Sequence, residues 1–449
     1  MSDTMAPDQE RSSAVARSAA AKLVADYGSP LYVYELREAE RAASELSRCL
    51  PEPATLYYSL KANPHPVLAG ALHAAGCGAE ISSIGELEAV RQAGIPGDRC
   101  LYTGPGKSRQ EISAALAAGV HSFSVESAAD YRKVAQEASA LGTEARCLLR
   151  VNSQHSHGAS GLRMTGTATQ FGVDAAEVRR APAAFAPLPG ARIVGLHFFP
   201  LSNAEAWQTV ADEMTESIAE AALLQAELGV ELQVVDLGGG FAAPYAVVGQ
   251  SPDYSPLRPV LEAALDTHLA GWRSGRPEIA FESGRFLAGR SGRLLCTIED
   301  VKVSGDSTFV VLDGGINQLG GLSGLGRLLP LKAAIRQVAR REDGSAGPDE
   351  DPQECQGTAT VVGPLCTPAD RLATGQVLAG VRPGDLIEIP NVGAYGLTAS
   401  LVGFLSRPAA AEVVLRDGTP CDASRLTLRR IPFVPSTGPE PDRSDRMGE

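Results

Sequence analysis

Long hydrophobic runs are missing from this chain. No stretch of its 449 residues approaches the roughly 20 apolar residues that span a bilayer, and Met1 to Arg17 is polar without a signal-like core, so no membrane role and a cytoplasmic location are expected. Paired cysteines are missing too. The eight present (49, 77, 100, 147, 296, 355, 366, 421) show no C-x-x-C spacing, which points away from a zinc site or disulfide framework, and no metal is expected. Positive charge is scarce: 40 Lys and Arg against 53 Asp and Glu leave a net charge of -13. Nucleic acid, which needs a basic face, is therefore not an expected partner. What remains, 44% apolar and 21% charged residues, is the make-up of a soluble globular protein.

The length suits one large barrel of roughly 250 residues plus a second domain. Short apolar runs alternate with Ala/Leu/Glu-rich helical stretches. The strand candidates are 56–60, 79–82, 100–104, 122–125, 147–151, 192–199, 232–237 and 278–283. Between them lie amphipathic segments such as 66–75, 85–93, 109–118 and 203–228, with apolar residues at helical spacing. Eight alternations predict an α/β protein built on a (β/α)8 barrel over residues 35–285, with chemistry at the C-terminal ends of the strands. Beyond about Arg285 the texture changes to strand-like runs separated by Gly/Pro turns (294–303, 308–312, 357–362, 385–389, 411–415). This predicts a C-terminal β-sandwich or β-barrel domain over 286–434, joined by residues 13–34, whose run Pro30 to Tyr34 precedes the first barrel strand. The Asp/Glu/Gly/Pro-rich stretch 341–356 and the tail 435–449 are expected to be flexible.

Ser59-Leu60-Lys61-Ala62-Asn63 follows the run Leu56-Tyr57-Tyr58 and puts a lysine where a strand gives way to a loop. An amine there can hold an aldehyde cofactor as a Schiff base; most lysines are instead solvated surface groups. Asp236-Leu237-Gly238-Gly239-Gly240-Phe241 sets three glycines at a strand end, where backbone N–H groups can approach a phosphate or simply make a tight turn. Phe281-Glu282-Ser283-Gly284-Arg285 closes the eighth run. An acid there can pair with a protonated pyridine nitrogen or form a structural ion pair. In the second domain, Gly363-Pro364-Leu365-Cys366-Thr367-Pro368-Ala369-Asp370 places a cysteine four residues before an aspartate, and Asn391-Val392-Gly393-Ala394-Tyr395-Gly396 offers a tyrosine hydroxyl among small residues.

In this order, from about Pro30 to Val414, the five motifs resemble the fold-type III pyridoxal-phosphate decarboxylases of the alanine-racemase-barrel type, which include the diaminopimelate and ornithine decarboxylases. The resemblance implies pyridoxal 5'-phosphate as cofactor and amino-acid decarboxylation as activity. It makes Lys61 the covalent anchor and Glu282 the partner of the ring nitrogen. It makes Gly238, Gly239, Gly240, Gly284, Arg285 and Tyr395 holders of the phosphate end. It also implies a homodimer with shared active sites, in which Cys366 returns the proton with Asp370 nearby, both reaching the neighbouring subunit's site. Tyr395 and Arg327 join Thr367 and Asp370 as expected substrate contacts.

Three departures narrow the reading. Where diaminopimelate decarboxylases read roughly His-x-His-Ile-Gly-Ser, this chain has His197-Phe198-Phe199-Pro200-Leu201-Ser202, so Phe199 takes the stacking position, with His197 kept. Ser283 replaces a proline. Thr367 stands where diamino-acid enzymes carry an acid that receives a distal ammonium group, and an unpaired buried cation costs several kcal/mol. The expected substrate is therefore an acidic aminoacyl group, aspartyl- or glutamyl-like, on an acyl carrier protein in secondary metabolism. Diaminopimelate decarboxylase is the alternative, followed by a racemase, which would set an arginine on the ring nitrogen, and a non-catalytic pyridoxal-phosphate-binding barrel, which would lack the second domain.

Overall fold

Short runs buried on both faces can pair only inside a layered structure, and here they close on themselves. The computed structural model describes residues 18–152, 162–163, 170–320, 332–340 and 353–432. After β1 (Leu31–Glu35), eight parallel strands form the barrel: β2 (Thr55–Ser59), β3 (Gly78–Ile81), β4 (Cys100–Tyr102), β5 (Ser122–Val125), β6 (Ala145–Asn152), β7 (Ala191–His197), β8 (Val234–Asp236) and β9 (Glu278–Ser283). Their order, β5-β4-β3-β2-β9-β8-β7-β6, is closed by pairing of β5 with β6.

The helices between them start where the sequence supplies caps. Ser83, Ser108 and Ser127 each accept a backbone N–H three residues on, at the heads of Ile84–Gln92, Arg109–Ala117 and Ala128–Ala140, and Ser108 with Glu111 completes a reciprocal capping box. The long helix Trp207–Leu228 ends on Gly229, whose left-handed backbone at φ 63° suits glycine. Fully buried large side chains such as Tyr102, Phe123, Tyr131 and Trp272 fill the space between strands and helices.

The second domain is a nine-stranded mixed sheet made of β1 and eight later strands. These are β10 (Gly292–Ser304), β11 (Ser307–Leu312), β12 (Arg336–Ala339), β13 (Thr358–Val362), β14 (Arg371–Val377), β15 (Leu386–Ile389), β16 (Ala411–Arg416) and β17 (Thr419–Arg425). β1 lies between β10, antiparallel, and β16, parallel, so the segment ahead of the barrel belongs to this domain. β10 turns the corner: its first half pairs with β1 and β15, and beyond a bulge between Ile298 and Asp300 its second half pairs with β11. No helix among the described residues is long and apolar enough to cross a membrane. Residues 13–17, most of 341–356 and the tail 435–449 lie outside the described residues, as does Arg327.

Candidate active site

Barrel register brings the charged strand ends together. Ser59 is the partner of Glu80 across β2 and β3, and His197 is the partner of both Asp236 on β8 and Arg150 on β6. Lys61 sits on the one-turn helix Leu60–Ala62 directly after β2. Its side chain is 40% exposed, and its amine lies 3.0 Å from Glu80 Oε2 and 5.3 Å from the centre of the Phe199 ring. Burial alone would lower the pKa of that amine, but the carboxylates of Glu80 and Glu282 outweigh it and hold the ammonium form. Burial likewise works against the charge on Glu80, and Lys61 together with the Thr103 hydroxyl, 2.5 Å away, keeps it ionised.

Opposite Lys61 lies a buried acidic nook. His197, Asp236 and Glu282 bring ligand atoms within 4.8 Å of one another. Glu282 Oε1, Asp236 Oδ2 and His197 Nε2 are all buried without a hydrogen-bond partner, although His197 Nε2 is 3.4 Å from Glu282 Oε1. Burial, reinforced by Glu80 and Asp236, pushes the Glu282 carboxyl well above the usual carboxylate range. Asp236 is pushed up to about 7 by burial, against the Gly238 N–H that binds its other oxygen at 2.8 Å. His197 is driven well below its ordinary value by burial and by Arg150; its Nδ1 is 2.7 Å from Ser124 Oγ. A neutral imidazole cannot neutralise the acids, so the nook calls for a cation from outside.

The cavity between Lys61 and this nook is lined by Phe199, Gly239, Gly240, Ser283, Gly284, Arg285 and Tyr395 among others. A Cβ on Gly239 would stand 2.4 Å from the Glu282 carbonyl oxygen, so only glycine lets the β8 loop lie against the end of β9. Tyr395 comes from the second domain. Its N–H donates to Ala62 O at 2.7 Å, its carbonyl accepts from Tyr245 at 2.9 Å, and its ring carries the Arg285 guanidinium at 4.5 Å. Its φ of 54° is a left-handed conformation rare for an aromatic residue. An amine at one rim, an orphaned buried carboxylate within and an Arg/Tyr/Gly rim beside it fit pyridoxal phosphate.

Residues 36–289, more than half of the chain, match the family described as pyridoxal-dependent decarboxylase, pyridoxal binding domain. The chain belongs to this family. It is 31% identical over 399 residues to diaminopimelate decarboxylase of Archaeoglobus fulgidus, covering 88% of this chain and 89% of that one. It is 28% identical over 400 residues to L-glutamyl-[BtrI acyl-carrier protein] decarboxylase of Niallia circulans, covering 88% and 90%. The solved structure of diaminopimelate decarboxylase from Helicobacter pylori, complexed with L-lysine, superposes with a TM-score of 0.74 at 25% identity over 90% of this chain and 95% of that one. The protein is thus a pyridoxal-phosphate-dependent amino-acid decarboxylase with a TIM barrel.

In the decarboxylase, Cys366, Thr367 and Asp370 do not line the Lys61 cavity of their own chain. Cys366 is exposed. Asp370 is buried, and both of its oxygens are occupied: Ile316 N–H donates to one and Leu365 N–H to the other, each at 2.7 Å. In this chain it fastens the Cys366 loop to the domain, a role its motif does not disclose. Glu80, Thr103, Ser124 and Arg150 fall outside the five sequence motifs, and Asp236 stands at the head of the glycine motif with no role of its own assigned there. Their one sequence signal is a polar residue at the end of an otherwise apolar barrel strand.

Proposed function

We propose that this decarboxylase removes carbon dioxide from an aspartyl- or glutamyl-like group held on an acyl carrier protein, in secondary metabolism, as a homodimer with shared active sites. Thr367 carries the substrate assignment. A neutral residue beside Cys366 leaves the distal ammonium group of a diamino acid without a carboxylate, at a cost of several kcal/mol. Similarity to the glutamyl-carrier enzyme supports this reading, but diaminopimelate decarboxylases match at comparable identity, so the residue decides.

Pyridoxal phosphate, when bound, supplies a conjugated ring that takes up the electron pair left by the departing carboxylate. Lys61 would hold it through its amine, and Glu80, itself bonded by the Thr103 hydroxyl, orients that side chain. Glu282, whose buried Oε1 has no partner, would hold the ring nitrogen in its protonated form, and that positive charge would offset the repulsion from Glu80 and Asp236. Neutral His197, held by Ser124, packs against Glu282 without competing for its charge. Gly239, Gly240, Gly284, Arg285 and Tyr395 hold the phosphate end, and Phe199 offers an apolar face for stacking. Cys366, exposed on its own chain, supplies the returning proton in the partner subunit's cavity, with Asp370 keeping its loop in place.

Carbon dioxide release from free diaminopimelate, lysine, ornithine, aspartate and glutamate, compared with aspartyl- and glutamyl-loaded carrier protein, tests the assignment. Turnover of the loaded carrier alone is expected. Robust turnover of free diaminopimelate would overturn it.

A further inference from the structure

If the acyl group arrives on a carrier, as proposed above, the enzyme needs a surface that attracts one. Carrier proteins are acidic, and this chain, at -13, would repel an acidic partner over most of its surface. One groove of about 780 Å³ reverses that sign. It runs between the loop 402–409 and the strand end and exit 425–430, and its lining includes Arg407, Arg425, Arg429 and Arg430 with no acidic residue. Among the described residues none of the four arginines is in an ion pair or a side-chain hydrogen bond to a carboxylate. The groove's wall is also apolar. Leu428 is 73% exposed and Ile431, just beyond, is 79% exposed.

The opposite wall is held in an unusual shape. Leu405 and Ser406 both have left-handed backbones, at φ 56° and 53°, costing of order 1–3 kcal/mol each where no glycine relieves them. That turn leaves Leu405 half exposed. The loop is nevertheless fixed: Gln318 donates to Pro408 O at 2.8 Å and accepts from Ala410 N–H at 2.7 Å. A pinned, strained loop presenting leucine beside arginines that have no ion pair among the described residues matches the apolar-centre, charged-rim make-up of a docking site.

Position agrees with this. Val402 follows Tyr395, which lines the cofactor cavity, by seven residues, so chain reach limits their separation to at most about 25 Å. Leu401, just ahead of the groove's loop, donates its N–H to Ile316 O at 3.2 Å, and Ile316 N–H donates to Asp370 Oδ1 at 2.7 Å, which sets that loop beside the one that carries Cys366 and Thr367. We infer that the groove between residues 402–409 and 425–430 is the docking surface for an acidic helix of the acyl carrier protein, from which the tethered acyl group enters the active site.

The test uses holoenzyme carrying the double substitution Arg429→Glu, Arg430→Glu, and separately Leu428→Ser, with L-glutamyl-loaded acidic carrier protein and the same acyl group on pantetheine alone. The charge reversal is expected to raise KM for the loaded carrier on the order of tenfold or more and to flatten its salt dependence. Turnover at saturation and all constants for the pantetheine substrate should stay as in the wild type. An unchanged carrier KM overturns the inference, as does an equal loss on both substrates. Dissociation of the double variant into monomers on sedimentation also overturns it, because the groove would then belong to a second copy of the chain. Failure of the wild type to process any loaded carrier sinks the functional reading itself, whereas turnover indifferent to the charge reversal sinks only the groove.

Discussion

Two buried carboxylates, one in each domain, have opposite surroundings. Asp370, in the second domain, gives each oxygen a backbone N–H at 2.7 Å. Glu282, at the end of β9, leaves Oε1 with no partner and has Glu80 and Asp236 as like-charged neighbours. Burial raises the pKa of both carboxyls, but the amides pull Asp370 back, whereas repulsion lifts Glu282 further. A buried acid satisfied by its own fold is part of the scaffold; one left unsatisfied marks the place where the fold awaits something else. The same distinction separates Lys107, buried and paired with Asp130 at 2.8 Å, from Lys61, whose amine faces a cavity.

The largest effect expected along this divide is at the anchor. Lys61→Ala should abolish both the visible absorbance of bound cofactor and turnover; retention of the absorbance would remove the central assignment. Next comes Glu282→Gln, which keeps the shape and removes the charge. Turnover should fall by about a hundredfold or more, while the cofactor-free protein melts no lower than the wild type, since the amide replaces an acid that burial and its neighbours already push toward the neutral form. Asp370→Asn should do the reverse to stability. It leaves one amide facing an NH2 group, and thermal melting should report a loss of about 2 kcal/mol with or without cofactor. If Asp370→Asn is neutral and Glu282→Gln destabilises the cofactor-free protein, the contrast between the two acids is wrong.

Titration offers a smaller, graded test. Asp236 has its pKa raised to about 7 from an ordinary 3.8. Between those values the folded form holds a proton that the unfolded form has lost, so its contribution to stability is present at low pH and fades as pH rises through about 7. Cofactor-free protein should therefore lose stability from about pH 4 to 7. Asp236→Asn should shallow that slope without removing it, because burial also raises Glu412 to about 7, with the same sign. Urea unfolding at stepped pH measures both slopes, and an unchanged slope in the variant would free Asp236 from the nook.

How far this site can be read in advance follows from what each residue needs. Lys61, Glu282 and the glycines at 238–240 stand at strand ends beside glycine or small residues, so their neighbours in sequence already mark them. Glu80 and Asp236 are single acids in short apolar strands, and nothing local tells an inward acid from an outward one. Only closure of the barrel, which sets Ser59 against Glu80 and His197 against Asp236, makes them part of the site. Polar edge strands were harder still. β12 and β14 escape notice because few of their residues are buried and they carry Arg, Gln, Thr and Gly, and β17 because it is exposed along nearly its whole length. β1 was legible, because an unbroken apolar run ahead of a helix has to pair with something.

The smallest expected effect is the one that bears most on what the enzyme acts upon. Thr367 is exposed to an intermediate degree in a tight turn, where its Oγ1 accepts from Ala369 N–H at 3.3 Å and its own N–H donates to Leu365 O at 2.8 Å. Because Asp370 rather than Thr367 holds the loop, Thr367→Glu should leave stability within about 0.5 kcal/mol of wild type. If the position faces the distal end of the substrate, the new carboxylate should crowd and desolvate against the uncharged thioester end of a carrier-linked aspartyl or glutamyl side chain and give a distal ammonium group a partner. Carrier-bound turnover should fall several-fold, and decarboxylation of free diaminopimelate or lysine, measured as carbon dioxide release, should become detectable. A variant that loses the first activity without gaining any of the second would mean that Thr367 shapes the loop but does not choose the substrate.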